Sequence, residues 1–130
     1  MILVDTSLLI DSLSGPRRSA SILRAAIEQG ERLVLSSLVL YEWLRGPRLA
    51  EELAAQEAIF PNAAILPFGI AEALVSARLY RSVSRPRGRE LDLAIAACAI
   101  AHDAALFTLN RADFSDVPGL RIWSTHARNS

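Results

Sequence analysis

The sequence predicts an α/β protein: a three-layer α/β/α sandwich around a central, mainly parallel sheet. Three observations lead there. Short apolar runs, at residues 2–4, 33–35, 64–66, 105–109 and 120–123, alternate with longer segments of helical periodicity. The runs are continuous rather than alternating apolar with polar, as strands covered on both faces should be. Gly, Pro, Ser and Asn punctuate the junctions, and the resulting strand–helix order favours crossover units over hairpins.

Ile2, Leu3 and Val4 form the first strand, and residues 6–13 the first helix, ended by Ser14, Gly15 and Pro16. Residues 17–29 form a second helix with Ile22, Leu23, Ala26 and Ile27 on one face and Gly30 closing it. Strand 33–35 follows. Ser36 or Ser37 caps a helix carrying residues 38–44, which Gly46 and Pro47 stop. Residues 48–59 are again helical, with Leu49, Leu53 and Ala54 in step. Strand 64–66 lies between Asn62 and Pro67, and a long helix covers 70–83. The basic loop 84–89, "SRPRGR", leads into an Ala-rich helix over 90–103. Strand 105–109, a helical turn over 110–114 and strand 120–123 complete the order. The polar tail 125–130 is expected to fray. No internal repeat or linker interrupts the 130 residues, so one domain, residues 1–130, is expected.

Composition excludes several functions. The formal net charge is +0, and all 14 basic residues are Arg; there is no Lys. A general basic coat for duplex binding is therefore absent, although a local basic groove is not. The Gly-rich phosphate loop with its Lys is missing, and no Schiff base can form. Phosphatases and receivers that place a Lys beside a strand-end Asp fit poorly for the same reason. The single Cys98 lies in the apolar run "IAACAIA" and reads as core packing. No secretory leader pattern and no run of about 18 apolar residues is present, so a cytoplasmic protein with no membrane association is expected.

In open parallel sheets, sites form at the carboxyl ends of strands. Asp5 follows the first strand directly. Asp92 lies in the first turn of the Ala-rich helix, and Asp113 just past strand 105–109. Glu42 sits inside the apolar helix "SLVLYEWLRG". Glu28, Glu31, Glu51, Glu52, Glu57 and Glu72 fall among polar helix positions and read as solvated faces. Singly, each candidate has a structural alternative. Asp5 reads equally as a helix cap, Asp92 as a complement to a helix dipole, and Asp113 as part of a capping box with Asn110. Glu42 reads equally as solvent-facing. Together the four carboxylates suggest a cluster that cannot stay ionised without a cation. Mg²⁺ or Mn²⁺ suits carboxylate and water ligands, and one or two such ions would act on a phosphodiester. Thr6, Ser7, Thr108 and Asn110 are placed to orient the acids. Arg45, Arg48, Arg85, Arg87, Arg89 and Arg111 are candidates for backbone phosphates of a nucleic acid. His102 ends a helix, where a cation suits the dipole.

The segments "VDTSLLI", "LYEWLRG" and "ELDLAIAACAIAHDAALFTLNRADF", in that order, resemble the PIN-domain nucleases, and among them the short VapC-type toxins of type II VapBC toxin–antitoxin systems. The resemblance covers about residues 2–122. It implies the three-layer fold and Mg²⁺- or Mn²⁺-dependent cleavage of RNA by water, leaving 5′-phosphate and 3′-hydroxyl ends. It places Asp5, Glu42, Asp92 and Asp113 at the four acidic positions, Ser7 and Thr108 at the hydroxyl positions, and Asn110 at the polar position before the last acid. It further implies a small cognate antitoxin, often with a DNA-binding domain, and a homodimer. Two other acids stand close in sequence. Asp116 is a second candidate for the fourth position, but the spacing of Asp113 from Thr108 and Asn110 fits better. Glu90 is turned about 200° from Asp92 on a regular helix. The alternative is an inactive PIN-like module acting through protein partners, with apolar residues of 38–44 and 49–59 as contact surfaces.

Overall fold

The computed structural model describes residues 1–124. The expected frayed tail lies outside the described residues. Strand β1 (Ile2–Val4) occupies the middle of a three-stranded sheet, between β2 (Leu33–Val34) and β3 (Ala105–Phe107), with both pairings parallel. Ile2, Leu3 and Val4 are no more than 2% exposed, which is why this run carries no polar alternation. Parallel neighbours can be joined only by crossovers, and the crossovers are helical. Helices α1 (Thr6–Leu13) and α2 (Ala20–Glu28) join β1 to β2. Helices α3 (Ser37–Arg45), α4 (Ala50–Ile59), α5 (Ile70–Ser82) and α6 (Glu90–Ala101) lie between β2 and β3, and the short α7 (Arg111–Phe114) follows β3. A parallel sheet flanked by helices is the architecture expected.

Two expected strands are reduced to single bridges. Residues Asn62–Ala64 form a 3₁₀ turn, and only Leu66 pairs, beside Ser36. Pro67 follows at once and has no N–H with which to continue a ladder. On the other edge Ile122 bridges to Leu106, through Leu106 N–H to the Arg121 carbonyl and Trp123 N–H to the Leu106 carbonyl, both 2.8 Å. The helices are also shorter than the periodicity suggests. Arg17 has φ 54°, so α2 begins only at Ala20, and Asp103 with φ 51° follows the end of α6. Of the two serines before α3, Ser36 is the cap: its Oγ accepts the Val39 N–H at 3.2 Å.

Helix α6 is the central piece of the packing. Leu93 and Ile95 through Ala99 are all buried, and the helix contacts α5, α3 and β3. Its alanines let these neighbours come close. Cys98 is fully buried there, and burial pushes its thiol up to about 12, with the Glu72 carboxylate adding to the effect. It is core, as expected. Trp43 is also fully buried. The Arg48 guanidinium stacks 4.2 Å from its ring centroid and donates from Nε to its carbonyl at 2.9 Å, so Arg48 is tied to the core.

Two acids expected on solvated faces are buried instead. Glu52 and Glu72 are the third residues of α4 and α5, and each folds back to accept the N–H of the residue before its helix, Leu49 and Gly69, both at 2.8 Å. They satisfy helix-start donors that no cap side chain reaches. Glu72 also lies 3.1 Å from His102 Nε2, which ties the start of α5 to the end of α6.

Candidate active site

The acids come from four places that the fold brings to one end of the sheet. Asp5 directly follows β1 and is 4% exposed. It occupies the residue before α1, yet its side chain makes no cap hydrogen bond to the helix. The carboxylate turns toward the end of β3. Its Oδ2 accepts the Thr108 hydroxyl at 2.7 Å and the Ser7 hydroxyl at 3.0 Å. Thr108 Oγ1 in turn accepts the Asn110 N–H at 3.0 Å, and Ser7 Oγ accepts the Leu109 N–H at 3.2 Å. The two hydroxyls are therefore orientated by backbone on one side and hold a single carboxylate oxygen on the other. Asp5 Oδ1 is left for a further partner.

Glu42 does not face solvent. It lies on α3, which packs on α1, and its Oε1 accepts the Thr6 hydroxyl at 2.5 Å. Arg45 Nη2 approaches Oε2 at 3.4 Å and lies 5.4 Å from the Tyr41 ring centroid. Asp92 stands in the first turn of α6, where the helix dipole favours an anion. Its carboxyl is nevertheless held above the usual carboxylate range, chiefly by burial and then by the charges of Asp5, Glu42 and Asp113, with Arg89 opposing. The charges of Asp5, Glu42 and Asp113 therefore lie near enough to disfavour the ionised form of Asp92. Asp113 is exposed on α7, and its N–H reaches the Asn110 carbonyl at 3.0 Å. Asn110 does not cap α7 with its side chain, so the capping box read from its spacing does not form. What Asn110 contributes is its backbone N–H to Thr108.

The two neighbouring acids are otherwise engaged. Glu90 accepts the Gly88 N–H and so bends back over the loop. Asp116 takes a two-pronged ion pair from Arg89, at 2.7 and 2.9 Å. No sequence pattern announces this pairing. Arg85, Arg87 and Arg111 are exposed around the same edge, where an open groove of about 520 Å³ is lined by Ser84, Arg85, Arg89, Asp113 and Asp116.

This end of the parallel sheet gathers hard oxygen donors, and the neighbouring charges disfavour the ionised form of Asp92. That donor set fits a divalent cation preferring carboxylate and water, and fits poorly with softer metals that need Cys or His.

Residues 2–120 match the PIN domain, and the chain belongs to that family. Its similarity within the family is to VapC proteins. It is 38% identical over 126 residues to ribonuclease VapC19 of Mycobacterium tuberculosis, covering 93% of this chain and 98% of the relative. Among solved structures it resembles DNA-bound VapBC from Salmonella typhimurium, with a TM-score of 0.77, 23% identity and coverage of 94% and 96% of the two chains. A toxin–antitoxin complex from Klebsiella pneumoniae gives a TM-score of 0.69 at 26% identity, covering 92% of this chain and 95% of that one.

Proposed function

We propose that this protein is a metal-dependent endoribonuclease and the toxin of a VapBC pair. The observation that carries the reading is the buried Asp5 carboxylate, held by the Thr108 and Ser7 hydroxyls beside Asp92, whose ionised form the charges of Asp5, Glu42 and Asp113 disfavour. The ribonuclease names of the relatives support the same activity. Asp5, Glu42, Asp92 and Asp113 would hold one or two Mg²⁺ or Mn²⁺ ions. A divalent ion so bound supplies an activated water and a polarised phosphoryl oxygen.

The chain's own residues do the rest. Thr108 and Ser7 fix the Asp5 carboxylate, and Thr6 fixes Glu42, so that the donor set needs little rearrangement. A carboxylate of the cluster would accept the proton that water loses as its oxygen bonds to phosphorus. The bond from phosphorus to the 3′ oxygen breaks and that oxygen takes up the proton, leaving 5′-phosphate and 3′-hydroxyl ends. Arg45, Arg85, Arg87 and Arg111 would meet neighbouring phosphates of the strand. No helix among the described residues is long and apolar enough to cross a membrane. We place the protein in the cytoplasm, as a single-domain homodimer restrained by a small antitoxin with a DNA-binding domain. The VapBC and toxin–antitoxin structures it resembles support that pairing.

The alternative reading is a binding module that acts through protein partners. Among the described residues no group of three or more His, Cys, Asp or Glu side chains is arranged, as it stands, to hold a metal ion. An inactive binding module would keep the acids without the ion. The deciding experiment is cleavage of a structured RNA pool with Mn²⁺, with Mg²⁺ and with EDTA, beside Asp5→Asn protein. Discrete, metal-dependent products from the wild type alone support the nuclease. Products that persist in EDTA, or equally in Asp5→Asn, overturn it. No products, together with a melting midpoint that metal fails to raise, establish the binding module.

A further inference from the structure

Arg89 is expected among the phosphate-binding arginines, but its donors are already spent. Nη2 donates to Asp116 Oδ1 at 2.7 Å and to the Asp113 carbonyl at 2.9 Å. Nη1 donates to Asp116 Oδ2 at 2.9 Å and approaches the Arg85 carbonyl at 3.5 Å. A guanidinium has five N–H groups, and only the one on Nε is not directed at these partners. The side chain is 22% exposed, against 55% for Arg45 and 62% for Arg121 in their ion pairs. It cannot take a phosphate in its fork without releasing Asp116.

The two ends of this contact matter. Arg89 is the residue before α6, three positions from Asp92. Its closest acceptors, the Asp113 carbonyl and the Asp116 carboxylate, lie in and just past α7, which carries Asp113. A four-residue helix such as α7 has no stability of its own. Phe114 and Val117 anchor it below, at 2% and 6% exposure, but its polar side faces out. The Asp113 carbonyl belongs to the last turn of that helix, where carbonyls lack intrahelical partners. Arg89 supplies one, and through Asp116 grips the segment a second time.

We infer that Arg89 and Asp116 form a positioning clamp that holds α7, and with it Asp113, in register with Asp92. This rests on the nuclease reading proposed above. Neither clamp residue touches the reacting atoms. Planarity is essential to the design: the two parallel N–H···O bonds fix an orientation that a point charge would not.

The test uses Arg89→Ala, Arg89→Lys, Asp116→Asn and the double variant Arg89→Ala/Asp116→Asn. Hydrogen exchange of the backbone over residues 110–117 is read without metal or RNA. All four variants should exchange faster there than the wild type, with the rest of the protein unchanged. Calorimetric Mn²⁺ titration should show affinity reduced roughly 10–100-fold, the range for groups that orient metal-binding side chains. In RNA cleavage, kcat should fall while KM stays near the wild-type value, and the double variant should be no worse than the singles. Asp116→Asn is the decisive arm, since it removes no cation that RNA could use. If Arg89→Ala raises KM while Asp116→Asn leaves exchange and Mn²⁺ affinity unchanged, Arg89 is a phosphate ligand and the clamp is overturned. A lowered melting midpoint with unchanged exchange over 110–117 and unchanged Mn²⁺ affinity also overturns it, leaving a merely structural ion pair. Should the wild type itself neither bind Mn²⁺ nor cleave, the nuclease reading fails, while the exchange data still decide whether the clamp orders α7.

Discussion

The Thr108 hydroxyl donates to Asp5 Oδ2 at 2.7 Å, joining two residues 103 positions apart in sequence. The bond spans the carboxyl ends of adjacent parallel strands, β1 and β3. It explains why an acid at the end of the central strand stays buried without capping the helix that follows. It also gives the site a fixed edge on which a metal ion could be seated.

Thr108→Val keeps the shape of the side chain and removes the hydroxyl, which is both the donor to Asp5 and the acceptor of the Asn110 N–H. Turnover and Mn²⁺ affinity should drop roughly 10–100-fold in a protein that stays folded, its metal-free melting midpoint lowered by the unpaired Asn110 N–H. Ser7 keeps its own bond to Asp5 at 3.0 Å, so some orientation survives. Steady-state cleavage across a Mn²⁺ series checks this. Wild-type turnover in Thr108→Val would mean that Asp5 needs no such support.

Asp92 is surrounded by like charge and partly buried. Asp92→Asn removes the repulsion without changing the shape, so the metal-free protein should melt a few degrees higher than the wild type. The same variant should lose the stabilisation that Mn²⁺ confers on the wild type, and all cleavage. Scanning calorimetry with and without Mn²⁺ reads both effects. A lower metal-free midpoint would indicate that Asp92 is chiefly a helix-start anion.

Glu72 carries the clearest pH dependence. The Gly69 N–H, then its own N–H and the nearby His102, hold its carboxyl below the ordinary 4.5. A depressed folded pKa contributes stability that is present above that ordinary value and lost as pH falls through the lowered one. Glu72→Gln should therefore cost about 1 kcal/mol near neutrality, the difference between a hydrogen bond to a charged group and one to a neutral group. The difference from wild type should shrink as the solution is acidified below pH 4.5. Urea unfolding at several pH values measures it, and a difference independent of pH would assign the effect to packing.

The parts of this site that were legible in the sequence are local. Asp5 follows a three-residue apolar run, and Asp92 opens an Ala-rich helix, so strand ends and helix starts locate both. Glu42 was visible as a carboxylate on an apolar helix, but only the packing of α3 on α1 decides that it meets Thr6. The Arg89–Asp116 pair joins residues 27 apart through a loop and a short helix, with no periodicity to signal it. Glu52 and Glu72 escaped for another reason. Their helix starts have Leu49 and Gly69 where a capping box would show Ser or Thr, so the returning carboxylate leaves no pattern. At the sheet edges, apolar runs 64–66 and 120–123 looked like strands, yet each contributes one bridge. Composition reports burial there, not the length of a ladder.

The central claim is that the four acids form one metal site. The most direct measurement is calorimetric titration of Mn²⁺ into the wild type, Asp5→Asn, Glu42→Gln, Asp92→Asn and Asp113→Asn, with folding checked by circular dichroism. The account predicts saturable binding of one or two ions by the wild type and a loss of affinity exceeding about 100-fold in Asp5→Asn and Asp92→Asn, beyond the range for groups that only orient metal-binding side chains. Binding of equal strength in the wild type and in these two folded variants would contradict it.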